Sequence, residues 1–193
     1  MQIGNTHADL RGNMKIILLN GPPRAGKDEY CKGILNAFPD ARHLKFAQPL
    51  RDAVCTFFKV EDYEIEDLKA RDKRVRSFMI SLSEKTTKPL LGKDYFGVRA
   101  AKAVRALEHS VELFVVSDAG FQYEVDAFLN ELPVEAQIWQ IHRPATSFLG
   151  DSREWVTPQA NSGAELVHVI NDHPTLTDLY KDAYSRATDF VYR

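Results

Sequence analysis

The stretch from Ile16 to Asp28 constrains this chain more than any other. It reads Ile-Ile-Leu-Leu-Asn-Gly-Pro-Pro-Arg-Ala-Gly-Lys-Asp. An apolar run enters Gly21, and Gly26-Lys27 follows at the spacing of the G-x-x-x-x-G-K phosphate-binding frame. A loop of this kind points successive backbone N–H groups at an anion. The helix behind it adds its positive N-terminal end. Gly21, Ala25 and Gly26 are the candidate backbone cradle, and Lys27 brings a mobile cation to the outer phosphates. Arg24 either reaches a phosphate or stays exposed. The next position ordinarily carries a Ser or Thr whose hydroxyl holds Mg²⁺, but here it is Asp28. Asp28 reads either as a metal or water ligand or as a first-turn carboxylate favoured by the helix dipole.

The chain has 193 residues, enough for one domain with a sizeable core and a small insertion. A net charge of −2 gives no bulk signature of nucleic-acid binding. No apolar run approaches a membrane span. Cys31 and Cys55 offer neither a disulfide framework nor metal-ligand spacing and read as small buried apolar residues. A reducing, cytosolic setting is expected. Residues 1–13 are polar, lack the apolar core of a signal peptide, and read as an arm before Met14 or as sequence ahead of the natural start.

From Met14 the periodicity alternates. Short apolar runs at Lys15–Asn20, Arg42–Phe46, Glu112–Ser117, Ala136–Ile141 and Leu166–Ile170 read as five strands, the first of them buried and parallel. Between them lie helical patterns. Tyr30, Cys31, Ile34, Leu35 and Phe38 mark one, closed by Pro39; Gln48–Phe58 is the next, with Pro49 in its first turn. Phe96, Ala100, Ala103, Val104 and Leu107 mark a third, and Phe121, Val125, Phe128, Leu129 and Leu132 a fourth. The last is capped by Thr175 with Asp178 and carries Leu176, Leu179, Tyr180, Ala183 and Tyr184. The expected fold is α/β, a P-loop NTPase-like three-layer sandwich with a central parallel sheet of about five strands and helices on both faces.

Two segments break this alternation. Residues 59–92 hold five carboxylates between Glu61 and Asp67, then five cations between Lys69 and Arg76, and read as a helical insertion with a weak core signal. Residues 143–163 form a long polar stretch containing Arg143 and Arg153 and read as a lid-like loop, since loops of this length are often functional. The basic run at Lys69–Arg76 and the stripe Arg99, Lys102, Arg105 are either solvated faces or grips for a phosphate. His142 reads as a structural strand-end residue.

Asp118 closes the third apolar run, where ligands meet the carboxyl ends of parallel strands. It can hold Mg²⁺, or cap the turn before the next helix. Phosphoryl transfer needs little covalent help and depends on placed cations and excluded water. Lys27, Asp118 and Arg143 are the catalytic candidates on that basis.

These residues resemble the bacteriophage deoxynucleoside monophosphate kinases. The resemblance is carried by Lys15–Asp28, with Asp after the G-K pair, and by Lys45-Phe46-Ala47-Gln48-Pro49-Leu50-Arg51-Asp52-Ala53. It continues through Leu90–Asp94, Phe114–Asp118, Ile141–Pro144 and Val169–Asp172, collinear over nearly the whole chain after Met14. Each piece is short, and only the first is specific alone. The resemblance implies a kinase that moves the γ-phosphate of ATP to a (deoxy)nucleoside 5′-monophosphate with Mg²⁺, in the host cytoplasm if phage-encoded. It maps Gly21, Arg24, Ala25, Gly26, Lys27, Asp28 and Arg143 onto ATP binding, and Asp28 and Asp118 onto the metal. Acceptor contacts would come from Phe46, Arg51, Arg74, Lys85, Asp94 and Arg99. Small-molecule nucleotides are the expected partners, with no nucleic acid or membrane, and a homodimer is left open. Two departures stand out. Gly120 occupies the position where the family pattern has Arg, and Lys85-Thr86 stand where it tends to have Arg. Kinases of other phosphorylated metabolites, and nucleotide-binding proteins with little turnover, are the alternatives.

Overall fold

A computed structural model describes residues 14–107, 110–132, 134–160 and 162–193; the N-terminal arm assigned to residues 1–13 lies outside them. Five strands run parallel: β1 (Lys15–Asn20), β2 (Arg42–Leu44), β3 (Leu113–Val116), β4 (Glu135–His142) and β5 (Ala164–Ile170). Their spatial order is β2-β3-β1-β4-β5. The central strand β1 is buried along its whole length, as a nearly all-apolar strand covered on both faces must be. The two strands at the edges are the most exposed, and the second expected strand shortens to Arg42–Leu44.

Side chains alternate across the sheet, so β1 divides its apolar residues between two cores. Ile17 and Leu19 join α1 (Lys27–Ala37) and the chain-terminal helix Leu176–Val191 on one face. Ile16 and Leu18 join α2 (Gln48–Phe58), the insertion and the helices Tyr95–Arg105 and Gln122–Asn130 on the other. The fold is the expected three-layer P-loop NTPase-like sandwich.

Within the insertion, the chain makes a 3₁₀ turn at Asp62–Glu64, α3 (Ile65–Arg71), α4 (Lys73–Leu82), a π-helical turn at Ser83–Thr87 and α5 (Lys88–Leu91). Its core signal looks weak in sequence because its apolar residues stand among charged neighbours, yet Ile65, Val75 and Met79 are buried in the main core, with Leu68, Phe78 and Leu82 packed against it. Phe57, Phe58 and Phe78 pack as an aromatic triplet between α2 and α4.

Two helical faces differ from the sequence pattern. In α6 (Tyr95–Arg105) the buried residues are Phe96, Gly97, Ala100, Ala101 and Val104, while Ala103 and Leu107 face solvent. The cause is close packing on α7 (Gln122–Asn130): the backbone of Glu124 lies against Gly97, leaving no room for a Cβ. In α8 (Leu176–Val191), Leu176 and Tyr184 are exposed, and Ala187 and Phe190 are buried instead. Here Gly33 of α1 admits Ala183 and Tyr180 at close range and sets which side of α8 turns inward.

Candidate phosphate-transfer site

The chain passes from β1 to β2 on one side of the sheet and reaches β4 on the other, so β1 lies at a topological switch point. Ligands of open α/β sheets sit in the crevice beyond the strand ends at such a point. The loop Gly21–Gly26 lies there, between the end of β1 and the start of α1. Arg24 takes a left-handed backbone conformation (φ 65°) and so does Gly26 (φ 98°). Gly26 also lies against the Asn171 amide, which leaves no room for a side chain. Asn171, at the end of β5, donates to the Ala25 carbonyl at 2.7 Å and fixes the loop from the far side.

Lys27 folds back over the loop. Its Nζ donates to the Gly21 carbonyl at 2.6 Å and the Pro22 carbonyl at 2.8 Å. Burial and the charge of Arg153 lower its pKa to about 8, against the opposing pull of Asp28, Asp151 and Asp118. Three carboxylates and a second cation therefore share the field around the lysine. Arg143, exposed at the end of β4, reaches the rim of the loop, its Nη1 donating to the Arg24 carbonyl at 3.2 Å.

Asp118 follows β3. Its two carboxylate oxygens accept from the backbone N–H groups of Phe46 (2.8 Å) and Ala47 (3.0 Å), at the entry to α2. The bonds run to the turn ahead of α2, not to the turn before the helix that follows Asp118. Each oxygen keeps lone pairs for a further donor or cation. Asp28 is exposed on the first turn of α1. Mg²⁺ in nucleotide sites takes one or two carboxylates together with phosphates and waters. Asp28 and Asp118 are carboxylates of the kind that could meet that demand, and no cluster of three or more metal-ligating side chains occurs among the described residues.

Beside Asp118, between α2 and α6, is a cavity of about 470 Å³. Phe46, Pro49, Phe96 and Ala100 give it apolar walls, and Lys45, Arg99 and Lys102 give it cations. Among the candidate acceptor contacts, Phe46 and Arg99 line this cavity, whereas Arg51, Arg74, Lys85 and Asp94 do not. Arg51 is a correction to the sequence reading. Its guanidinium is buried and held by Asp62 at 2.7 Å and Glu66 at 2.6 Å, so it braces α2 against the insertion. Arg74 points to solvent and is paired with Asp72 at 2.7 Å. Lys85 is exposed on the π-helical turn, and Asp94 is exposed at the start of α6.

Arg153, the second arginine of the long polar stretch, pairs with Asp151 at 2.6 Å. Residues 153–157, within the stretch read as a lid-like loop, are pinned across the ends of β1 and β3. The fully buried Asn20 donates to the Ala119 carbonyl (2.6 Å) and the Glu154 carbonyl (3.0 Å) and accepts from the Val156 N–H (3.1 Å). Glu154 N–H donates to the Gly120 carbonyl at 3.0 Å. Gln140 donates to the Val156 carbonyl, and Gln122 exchanges two bonds with Thr157. Trp155 stacks on His142 with ring centres 4.3 Å apart. The only sequence signal was an arginine inside a long polar loop; the bonds that hold its segment span up to 136 residues.

No family model matches the chain, and no curated protein sequence does. Solved structures do resemble it. An unliganded sugar kinase from Janibacter sp. HTCC2649 superposes with a TM-score of 0.53 at 11% identity, covering 93% of this chain and 95% of the other. A protein from Chloroflexus aurantiacus, described provisionally as a kinase, gives a TM-score of 0.49 at 13% identity over 92% and 98% of the two chains. At these identities the first likeness establishes the fold, and the second adds nothing to it.

Proposed function

We propose that this chain is a P-loop kinase that moves the γ-phosphoryl group of ATP to a (deoxy)nucleoside 5′-monophosphate. One observation carries the reading. Asp118 stands in the field of Lys27 and is bonded to the backbone of Phe46, a wall of the apolar and cationic cavity. A phosphate loop and a cavity sized for a second small molecule thus share one carboxylate. The cavity's apolar walls suit a planar base, and Arg99, Lys102 and Lys45 suit its phosphate. The first superposed structure is described as a sugar kinase, which agrees with phosphoryl transfer to a small molecule.

In this reading the loop amides and the N-terminus of α1 hold the donor phosphates. Lys27 swings from the Gly21 and Pro22 carbonyls onto the outer phosphates. Asp28 and Asp118 would hold Mg²⁺, which when bound neutralises charge on the β- and γ-phosphates. An ionised acceptor phosphate oxygen bonds to the γ-phosphorus as the bond from that phosphorus to the β,γ-bridging oxygen breaks. ADP leaves with the electron pair, so no general base is required. Arg143 lies on the donor side of the loop.

Release of ADP, coupled to an optical readout, over a panel of deoxy- and ribonucleoside monophosphates tests the proposal. The expected result is ADP that depends on one or a few monophosphates. In Arg99→Ala the acceptor KM should rise by about tenfold with little change in the ATP KM. Tight ATP binding with no acceptor-dependent ADP would overturn the kinase reading in favour of a nucleotide-binding protein. Turnover with a different phosphorylated metabolite would overturn the choice of acceptor.

A further inference from the structure

His142 and His168 line neither the phosphate loop nor the acceptor cavity, and the kinase reading uses neither. The sheet brings them together. In the parallel pairing of β4 and β5, Gln140 stands opposite His168 and His142 opposite Ile170. His142 and His168 are therefore diagonal neighbours on one face. Their rings meet across that diagonal, with Nε2 of His142 3.1 Å from Nδ1 of His168. His142 is half-buried and stacked on Trp155, and Phe148 packs edge-on against that indole. The His142 carbonyl accepts from the Asn171 N–H at 2.7 Å, which ties down the end of β4. His168 is exposed on the edge strand, so the pair is open to an ion from solvent. Strands also place ligands more precisely than loops do.

The separation suits a shared cation. Two imidazole nitrogens 3.1 Å apart, each about 2.0–2.1 Å from one ion, subtend about 95–102° at it, between the octahedral right angle and the tetrahedral angle of about 109°. Without an ion the two nitrogens share one proton, because a neutral imidazole donates from one nitrogen and accepts at the other. When an ion takes that place, the proton passes through solvent to the far nitrogen of the same ring. Nδ1 of His142 and Nε2 of His168 have no protein hydrogen-bond partner among the described residues, so either can carry it. Imidazole ligands suit zinc, nickel and copper ions, whereas magnesium and calcium take oxygen. Among the described residues no third His, Cys, Asp or Glu completes a cluster here, so water fills the remaining positions.

We propose that His142 and His168 form a two-imidazole site for a divalent transition-metal ion of the zinc, nickel and copper class, with water completing its coordination. The site stands apart from the kinase reading and is tested by binding whether or not the chain turns over ATP. The probe is Zn²⁺ alone, titrated calorimetrically into the metal-stripped full chain. The expected result is a saturable site that excess Mg²⁺ does not displace. His168→Ala, at an exposed position, and His142→Phe, which keeps a ring against Trp155, should each weaken it at least about tenfold. The double variant should lose little more than either single one, because the two rings act as a pair. Cu²⁺ gives an independent readout. Bound beside Trp155, it should quench tryptophan fluorescence at equimolar metal in the parent and not in His168→Ala.

A parent with no saturable site below about 1 mM Zn²⁺ would overturn the proposal. Parent-like Zn²⁺ affinity in either single variant, or Cu²⁺ quenching unchanged in His168→Ala, would place the ion elsewhere and overturn it as well.

Discussion

Gly21–Gly26 and residues 153–157 lie at the same end of the sheet, and they are specified in different ways. The first is a local structure. Its two ends are an apolar strand and an amphipathic helix next to it in sequence, and its bends fall at Gly26 and at Arg24. The second has almost no structure of its own. It is held by Asn20 from β1, Gly120 from the β3–α7 turn, Gln122 from α7 and Gln140 from β4. A local turn advertises itself through spacing, whereas a borrowed one is visible only when distant strands are assembled. Both present a cation, Lys27 from the local element and Arg153 from the borrowed one.

The largest expected effect falls on the local side. Lys27→Ala should cut phosphoryl transfer at least about 100-fold, the scale of losing a preorganised charge at the transferring group, with thermal stability equal to or above that of the parent. With its pKa lowered to about 8, Lys27 is charged below that pH and loses its proton above it. ATP affinity in the parent should therefore fall as pH rises past about 8, and binding near that pH should take up protons, measurable in buffers of different ionisation enthalpy. Normal turnover in Lys27→Ala would mean that a different loop binds the donor.

On the borrowed side the expected loss is in stability first. Asn20→Leu removes the partner of the Ala119 and Glu154 carbonyls and the Val156 N–H. Leaving buried backbone groups unpaired should cost about 3 kcal/mol and lower the melting temperature by about 6–12 °C. Thermal melts check this. A change within about 1 °C would show that the segment is held without its clamp.

Glu124 gives a pH test on the same side. Burial, with Asp118 adding repulsion, raises its carboxyl from 4.5 to about 8 in the folded chain. Between those values the folded state keeps a proton that the unfolded chain has released, so stability falls as pH rises through this window and levels off above it. Glu124→Gln removes that slope. Urea titrations at pH 5 and pH 8 should show the variant gaining on the parent by on the order of 2 kcal/mol. Parallel curves at the two pH values would mean that Glu124 is ionised throughout.

The smallest effect is expected at Arg74, exposed and paired only with Asp72. Arg74→Ala should leave the melting temperature and the acceptor KM in the coupled assay unchanged. A rise in acceptor KM would bring the basic run of the insertion back into the site.

The same contrast explains what could be read from the chain alone. The five strands and the span of α2, Gln48–Phe58, follow from apolar runs and from Pro49, signals that neighbouring residues carry. The buried face of α6 does not, because Gly97 is turned inward by the backbone of Glu124, a partner on another helix. Arg51 looks like a ligand-binding cation until Asp62 and Glu66 fold onto it. Gly120 looks like an absence in sequence. In the fold it is the space that the stem of Arg153 fills. Asp118 was legible as a strand-end carboxylate, but its bonds to Phe46 and Ala47, which join loop and cavity, required β2 and β3 to be paired.

The central claim is that the phosphate loop and the neighbouring cavity act on two small molecules in one reaction. The most direct measurement is the fate of a label placed on the γ-phosphate of ATP, followed with each nucleoside monophosphate in turn. The account predicts label in a nucleoside diphosphate, formed only when an acceptor is present and lost in Lys27→Ala. Label released only as inorganic phosphate, or retained in ATP with every acceptor, would contradict it.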